Sequence, residues 1–292
     1  MSELTETGTA ARLAQEVLAA LEGGPPVLIA TVIAAPAGQQ GLLGAKILVR
    51  ADGSTLGTLG GGPLDSAVLA EAPDAFRRHG VETFYLAPDG KRLARQEAGS
   101  RESYQVMLEV HERPATLLIV GGGHVGKALS LIGDMCGFSV VVVDDRPEYA
   151  NEERFPEAER VIRGRFDEVL RDCAIDANTY VICVTRGHKH DETSLRQVVG
   201  RGAAYVGMIG SRRRVSAVLQ HLVEEGADRD AVAAVHTPIG LDIGAETPEE
   251  IAVSIMAEVI QARRGGTGRQ MRETKGARRG VAPPERVLPD DD

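Results

Sequence analysis

Apolar residues recur in two different rhythms along this chain, and the rhythm changes near residue 114. Residues 10–22 place apolar side chains at helical spacing and stop at Gly23-Gly24-Pro25-Pro26, a breaker cluster. Apolar runs at 26–34, 44–50 and 55–59 predict strands, with Asp52-Gly53 as the turn between the second and third. Gly60-Gly61-Gly62-Pro63 then opens a helix that continues through 66–78, with Pro63 in the first turn, where its missing N–H matters least. Strands are expected again at 81–86 and 104–110, around a polar stretch, 89–103, that is expected to be a mobile loop. Residues 1–112 therefore form a smaller N-terminal α+β domain.

From Pro114 onward the apolar runs are short and continuous rather than alternating. They fall at 117–120, 140–143, 160–162, 180–184, 204–209 and 233–236, with helical segments at 193–200, 212–225 and 248–263. Continuous apolar strands alternating with helices predict an α/β domain, residues 113–264, whose parallel sheet is covered on both faces. Beyond Arg264 the chain is rich in Gly, Arg and Pro without apolar periodicity, so 265–292 is expected to be a disordered tail.

The first crossover of this second unit carries the most specific signal. Gly121-Gly122-Gly123-His124-Val125-Gly126 follows an apolar run, precedes a helix, and is followed by a second run ending at Asp144. This spacing is that of a Rossmann-like β-α-β unit. Gly121 permits the tight turn, Gly123 lets a pyrophosphate approach the backbone, and Gly126 lets helix and strand pack closely. Asp144 sits where a ribose hydroxyl would be read, or else caps the next segment.

Composition narrows the function. The formal charge of −9 leaves no excess of cations to neutralise a nucleic acid backbone. Apolar residues are 43% of the chain but aromatics only 3%, so small aliphatics must fill the core. No run is long enough for a membrane span, and the polar N-terminus lacks a signal-peptide core, which points to a cytoplasmic protein. Cys136, Cys173 and Cys183 form no C-x-x-C pair, which argues against a disulfide framework or a cysteine-rich zinc site.

In an open parallel sheet, ligands bind beyond the carboxyl ends of the strands. The unusual polar clusters of this chain all follow expected strands: the glycine turn, Asp144-Asp145, the stretch Thr185 to Asp191, the stretch Gly210 to Arg214, and the loop from His236 to Pro248. Each has two readings. His188, His190 and Asp191 are a possible metal set or a polar surface, with Asp191 also suited to cap the following helix. Ser211 and Arg212 to Arg214 make an anion site at a helix N-terminus, or only a solvated face. His236 is a functional or a core histidine. Asp242 and Glu246 are an acid–base pair, or the approach to a helix capped by Thr247. In the N-terminal half, Gly60, Gly61 and Gly62 form a phosphate nest assisted by Lys46, or a tight turn.

Taken together, GAKILV with DGSTLGTLGGGPLD, then LLIVGGGHVGKAL, VVDDRPEYANEERFPEA, TRGHKHDETSL, YVGMIGSRRR and HTPIGLDIGAETPEEIAVSIMAEVI resemble the XdhC/CoxI family of xanthine dehydrogenase accessory proteins over residues 10–264. The resemblance implies a protein that binds the molybdenum cofactor (molybdopterin) as cargo. It further implies cooperation with a cysteine desulfurase and delivery to a molybdenum hydroxylase apo-enzyme, with a homodimer left open. It carries a cofactor-binding role onto Gly121, Gly122, Gly123, His124, Val125, Gly126, Asp144, Arg186, His188, Ser211, Arg212, His236 and Asp242, with Lys46 and the triple glycine added from the N-terminal domain. The chain departs from the family where Pro63 follows the triple glycine, at Pro36 to Gln40, and near Glu102 to Tyr104, so cysteines found in relatives are missing. An NAD(P)-dependent oxidoreductase and a nucleotide-sensing regulatory protein are the alternative readings of the same glycine turn.

Overall fold

A computed structural model describes residues 2–94 and 103–273. The N-terminal part is built on a six-stranded antiparallel sheet: β1 (Val27–Ala34), β2 (Lys46–Arg50), β3 (Thr55–Gly57), β4 (Val81–Leu86), β5 (Arg92–Leu93) and β6 (Tyr104–His111). Their order across the sheet is β3-β2-β1-β6-β4-β5. The central strand β1 is apolar on both faces because both are covered. Leu28, Ala30 and Val32 pack with Leu64, Val68, Ala72 and Ala75 of α2 (Pro63–Arg78), while Val27 and Ile29 pack with Leu13 and Ala20 of α1 (Ser2–Leu21).

The second part is a five-stranded parallel sheet of β7 (Thr116–Val120), β8 (Ser139–Asp144), β9 (Arg160–Arg163), β10 (Thr179–Cys183) and β11 (Tyr205–Met208). The helices are α3 (His124–Met135), α4 (Phe166–Asp172), α5 (His188–Val198), α6 (Arg212–Glu224), α7 (Arg229–Ala233) and α8 (Pro248–Arg264). One face of the sheet carries Leu117, Ile119, Val140 and Val142 against Leu129 of α3 and Ile255, Met256 and Val259 of α8. The opposite face carries Leu118, Val120, Val141 and Val181 against Phe166, Leu195, Val218 and Val232. Successive strand residues point to opposite faces, so only a run of small aliphatics fills both layers. The α/β architecture, a Rossmann-type parallel sheet with helices on both faces beside a smaller antiparallel domain, is the one expected.

Strand order places the functional edge. The sheet runs β11-β10-β7-β8-β9. The chain leaves β7 toward β8 on one side, and leaves β10 toward β11 on the other. The crevice between the carboxyl ends of β7 and β10 is the topological switch point, where such sheets bind ligands.

Several expected elements differ in the structure. The run 233–236 is not a sixth strand: α7 occupies its start, and His236 makes one parallel bridge to Gly207. Helix α7 and its C-cap take Ala233 and Ala234, and Val235 is the one buried residue of the run, so too few residues remain to pair as a strand. Helix α5 begins at His188 rather than at residue 193, and α1 extends back to Ser2. Strand β5 forms inside the stretch expected as a loop, pairing with Tyr85 and Leu86 of β4. The rest of that loop, 95–102, and the tail segment 274–292 lie outside the described residues. No described helix is long and apolar enough to cross a membrane.

Candidate functional site

The glycine turn joins β7 to α3 across the switch point. Gly121 takes φ +116°, and a Cβ there would lie 2.6 Å from the carbonyl oxygen of Val184 at the end of β10. At Gly126 an added Cβ would meet the Gly121 carbonyl oxygen at 2.0 Å, so the helix could not approach the turn. Gly122 is equally enclosed, 2.0 Å from the Tyr149 carbonyl oxygen. Gly123 differs: an added Cβ meets nothing within 4 Å, and its φ of −64° suits any residue. Three of these glycines are thus required by the protein's own packing. The fourth faces open space at the helix N-terminus, where a ligand would approach.

The helices that start on this edge share a second property. The N-cap residues of α3, α4, α5 and α6, which are Gly123, Arg165, Gly187 and Ser211, make no side-chain capping bond. The two helices that follow, α7 and α8, are conventionally capped. Asp228 accepts from the N–H groups of Asp230 and Ala231, and Thr247 and Glu250 form a reciprocal capping box. Uncapped helix N-termini leave backbone donors and a partial positive charge facing the rim, which favours an anion there.

Asp144 ends β8 with its carboxylate buried and occupied. One oxygen accepts from the Arg146 N–H and Nε, both at 3.0 Å. The other accepts from the Gly122 N–H at 2.9 Å and Arg146 Nη2 at 3.0 Å. Burial works to raise this carboxyl's pKa, but the Arg146 fork and the two backbone donors outweigh it and hold it below the usual range. A ribose hydroxyl would therefore have to displace Arg146 to reach Asp144.

Three arginines organise this edge, and only Arg186 stood out in the sequence. Arg186 makes a bidentate pair with Asp145, both contacts at 2.8 Å. Because β7 lies between β10 and β8, this pair spans the end of the first strand of the motif. The guanidinium of Arg146 stacks 3.7 Å above the Tyr149 ring. Arg154 donates to the carbonyl oxygens of Gly122 (3.1 Å) and Gly123 (3.4 Å), bringing a cation against the turn itself. Arg146 and Arg154 were concealed by lying in a loop without regular periodicity. The signal that could have found them is the loop's two aromatic residues, Tyr149 and Phe155, spaced to stack both guanidiniums.

The remaining expected residues divide by location. His124 and Val125 begin α3 beside the turn, with His124 exposed. Gly187 and His188 begin α5 and Ser211 and Arg212 begin α6 on the same edge; the side chains of His188 and Arg212 are outside the described residues. Asp191 is not the N-cap residue, which is Gly187: it lies in the first turn of α5, buried, and accepts from the Thr185 hydroxyl at 2.5 Å. His190 sets its ring edge-on to Phe166.

Other residues are not gathered at the turn. His236 stacks on Tyr205, the first residue of β11, with ring centroids 4.3 Å apart, and its Nδ1 lies 2.8 Å from Glu258. It faces the amino end of the strand. Asp242 and Glu246 are exposed, and the Glu246 and Thr247 N–H groups donate to Glu250, so this loop serves the start of α8. In the N-terminal domain, Lys46 donates to the Thr31 hydroxyl at 2.8 Å. The turn at Gly60, Gly61 and Gly62 has positive φ throughout and is braced by Asp65, which accepts from Thr58 and the Leu59 N–H. Among the described residues, no hydrogen bond joins this turn or Lys46 to the rim of the parallel sheet.

Comparison with known proteins agrees with both halves of this description. A family model described as the XdhC Rossmann domain matches residues 117–259, and one described as the XdhC and CoxI family matches residues 20–85. The uncharacterized protein YqeB of Escherichia coli K12 is 32% identical over 227 residues, 77% of this chain and 41% of that protein. A probable xanthine dehydrogenase subunit of Bacillus subtilis 168 is 32% identical over 148 residues, 51% of this chain and 43% of that protein. The chain thus spans about two fifths of the length of these curated relatives. A crystal structure titled as a xanthine dehydrogenase from Bacillus halodurans shares the fold at 21% identity and a TM-score of 0.50, covering 90% of this chain and 98% of that one.

Proposed function

This chain belongs to the XdhC/CoxI family, and from that premise we propose that it is an accessory protein for a xanthine dehydrogenase- or CO dehydrogenase-type molybdenum hydroxylase. In this reading it binds the molybdenum cofactor as cargo, assists its sulfuration, and delivers it to the apo-enzyme. The observation that carries the reading is the open Gly123 position at the switch point, above an uncapped α3 and beside Arg154. A pterin bearing a phosphate needs such a cradle: backbone donors, a fixed cation and no side chain in the way.

The chain's own thiols do not suit a sulfur relay: Cys136 is exposed but follows the C-terminal end of α3, away from the glycine turn, and the other two are shielded. Cys183 lies in β10, fully buried, and burial pushes its thiol above the ordinary range. Cys173 is half-buried and raised for the same reason. A nucleophilic sulfur needs the opposite environment. The sulfur therefore stays on the partner cysteine desulfurase, while this protein holds and shields the cargo.

The test is anaerobic equilibrium binding of purified molybdenum cofactor to the intact chain and to Gly123→Val. Binding by the first and loss of at least about tenfold by the second is expected, because a valine would fill the approach to the turn. Equal binding by both, or none by either, would remove the glycine turn from the function. Transfer to an apo-hydroxylase, read as recovered hydroxylase activity, then tests delivery.

A further inference from the structure

Beside β8 the site is arranged for an anion rather than for a sugar diol. A carboxylate has about four acceptor positions on its two oxygens, and those of Asp144 receive four donors. None is left for ribose hydroxyls. The donor that took their place is Arg146, whose Nη1 has no hydrogen-bond partner among the described residues. The side chain is 26% exposed, and one guanidinium face is held against Tyr149. This leaves a partly exposed planar cation on the rim, with its Nη1 edge and one face not held by Tyr149. A planar base can stack on that face, and a phosphate can take the edge.

The electrostatics point the same way. Asp145, the other acid at the end of β8, is held by the bidentate contact with Arg186 and also lies 3.9 Å from Arg146 Nε. Arg154, which reaches the carbonyls of the turn, pairs with no carboxylate among the described residues. Both acids are thus matched and one cation is left over, within reach of whatever occupies the glycine turn.

We propose that this site selects a nucleotide carrying a phosphate on its ribose 2′ position over one with a free 2′,3′-diol, and that Arg146 is the residue imposing the choice. NADP(H) has the required chemistry, with a pyrophosphate for the turn and α3, a 2′-phosphate for Arg146, and adenine for its open face. The inference rests on the glycine turn being a ligand site, and not on the cargo being a pterin.

Isothermal titration of the intact chain with NADP+, NAD+, 2′,5′-ADP and 5′-AMP tests it. The phosphorylated member of each pair should bind at least about tenfold more tightly, the size expected for charge-assisted contacts to one phosphate. In Arg146→Ala, NADP+ should weaken by at least that factor while NAD+ is unchanged or improves, because Asp144 is released to accept the diol. Arg146→Lys, which keeps a charge beside Asp144 and protects the fold, should retain an intermediate preference. Equal or tighter binding of NAD+ to the native chain, no binding of any of the four probes, or an unchanged preference in Arg146→Ala would each overturn the proposal. Cofactor binding measured in parallel separates the two readings. A chain that binds molybdenum cofactor but none of these nucleotides loses this inference and keeps the accessory role, whereas the converse result does the opposite.

Discussion

At the scale of single residues, the junction of turn and sheet depends on one carboxylate. Asp144 ties the Gly122 N–H to the end of β8 and anchors Arg146, so its replacement by Ala leaves a buried backbone donor and a guanidinium without an acceptor. The expected cost is about 3 kcal/mol, as for other broken and largely buried ion pairs. The folded-state pKa of Asp144 is depressed, so its stabilisation is complete above its unfolded-state value of about 4 and fades as pH falls through the lower folded value. Thermal melts of native chain and Asp144→Ala should therefore differ most at neutral pH and converge well below about pH 4. A difference that persists undiminished in acid would mean that the carboxylate's charge is not what stabilises the turn. The cysteines give a second residue-scale expectation. Cys136 is exposed and should react rapidly with an aromatic disulfide reagent, while Cys183, buried in β10, should react only on unfolding. Rapid modification of Cys183 in the folded chain would reopen a thiol mechanism.

At the scale of elements, the β7–turn–α3 unit separates packing from binding. Gly126→Val puts a side chain against the Gly121 carbonyl and should destabilise by about 3 kcal/mol or more through forced separation of helix and strand. Gly123→Val enters open space and should melt within about 0.5 kcal/mol of the native chain, as surface substitutions do. Equal destabilisation by both would show that the turn is structural throughout. Away from the rim, Thr247→Ala removes half of the α8 capping box and should cost about 1 kcal/mol without altering ligand binding. The contrast explains which parts of the site could be read from the sequence. The glycine spacing, the strands around it and the helix after it are local, and local periodicity exposed them. The run 233–236 has the apolar content of a strand but only one bridge's worth of pairing, because whether a strand is completed depends on what lies beside it. His236 looked like part of the rim by chain order; its ring turns instead toward Tyr205 and Glu258, a choice made by tertiary contacts. Arg146 and Arg154 had no periodicity to mark them. Their roles exist only once the loop that carries them folds back over the turn.

At the scale of the whole molecule, the described contacts between the two sheets' domains lie at the amino edge of the parallel sheet, opposite the rim. Arg264, at the end of α8, donates to the carbonyls of Arg78 and His79 at 2.8 and 2.7 Å. Glu112 sits between His79 Nδ1 at 2.7 Å and Arg263 at 3.7 Å, and Arg263 is largely buried, its Nε without a hydrogen-bond partner among the described residues. Burial lowers the Arg263 pKa, with Arg264 adding to the effect. Beside this junction, Leu21, Arg113, Thr116, Ser139 and Arg160 line a cavity of about 330 Å³. A few polar contacts beside a cavity make a junction that can yield, as interdomain contacts of this kind commonly do. If release of cargo requires the domains to move, the movement turns on these residues and not on the glycine rim. The double variant Arg264→Ala with Glu112→Gln should then split a single calorimetric transition into two, since each domain keeps its own core. Ligand affinity at the rim should stay within about twofold of native, because additivity holds for sites that share no partner. A single transition in the variant would mean that the domains are coupled by surfaces other than this junction. An affinity loss well beyond twofold would mean that the N-terminal domain contributes to the site, with Lys46 and the Gly60 turn as the first residues to test.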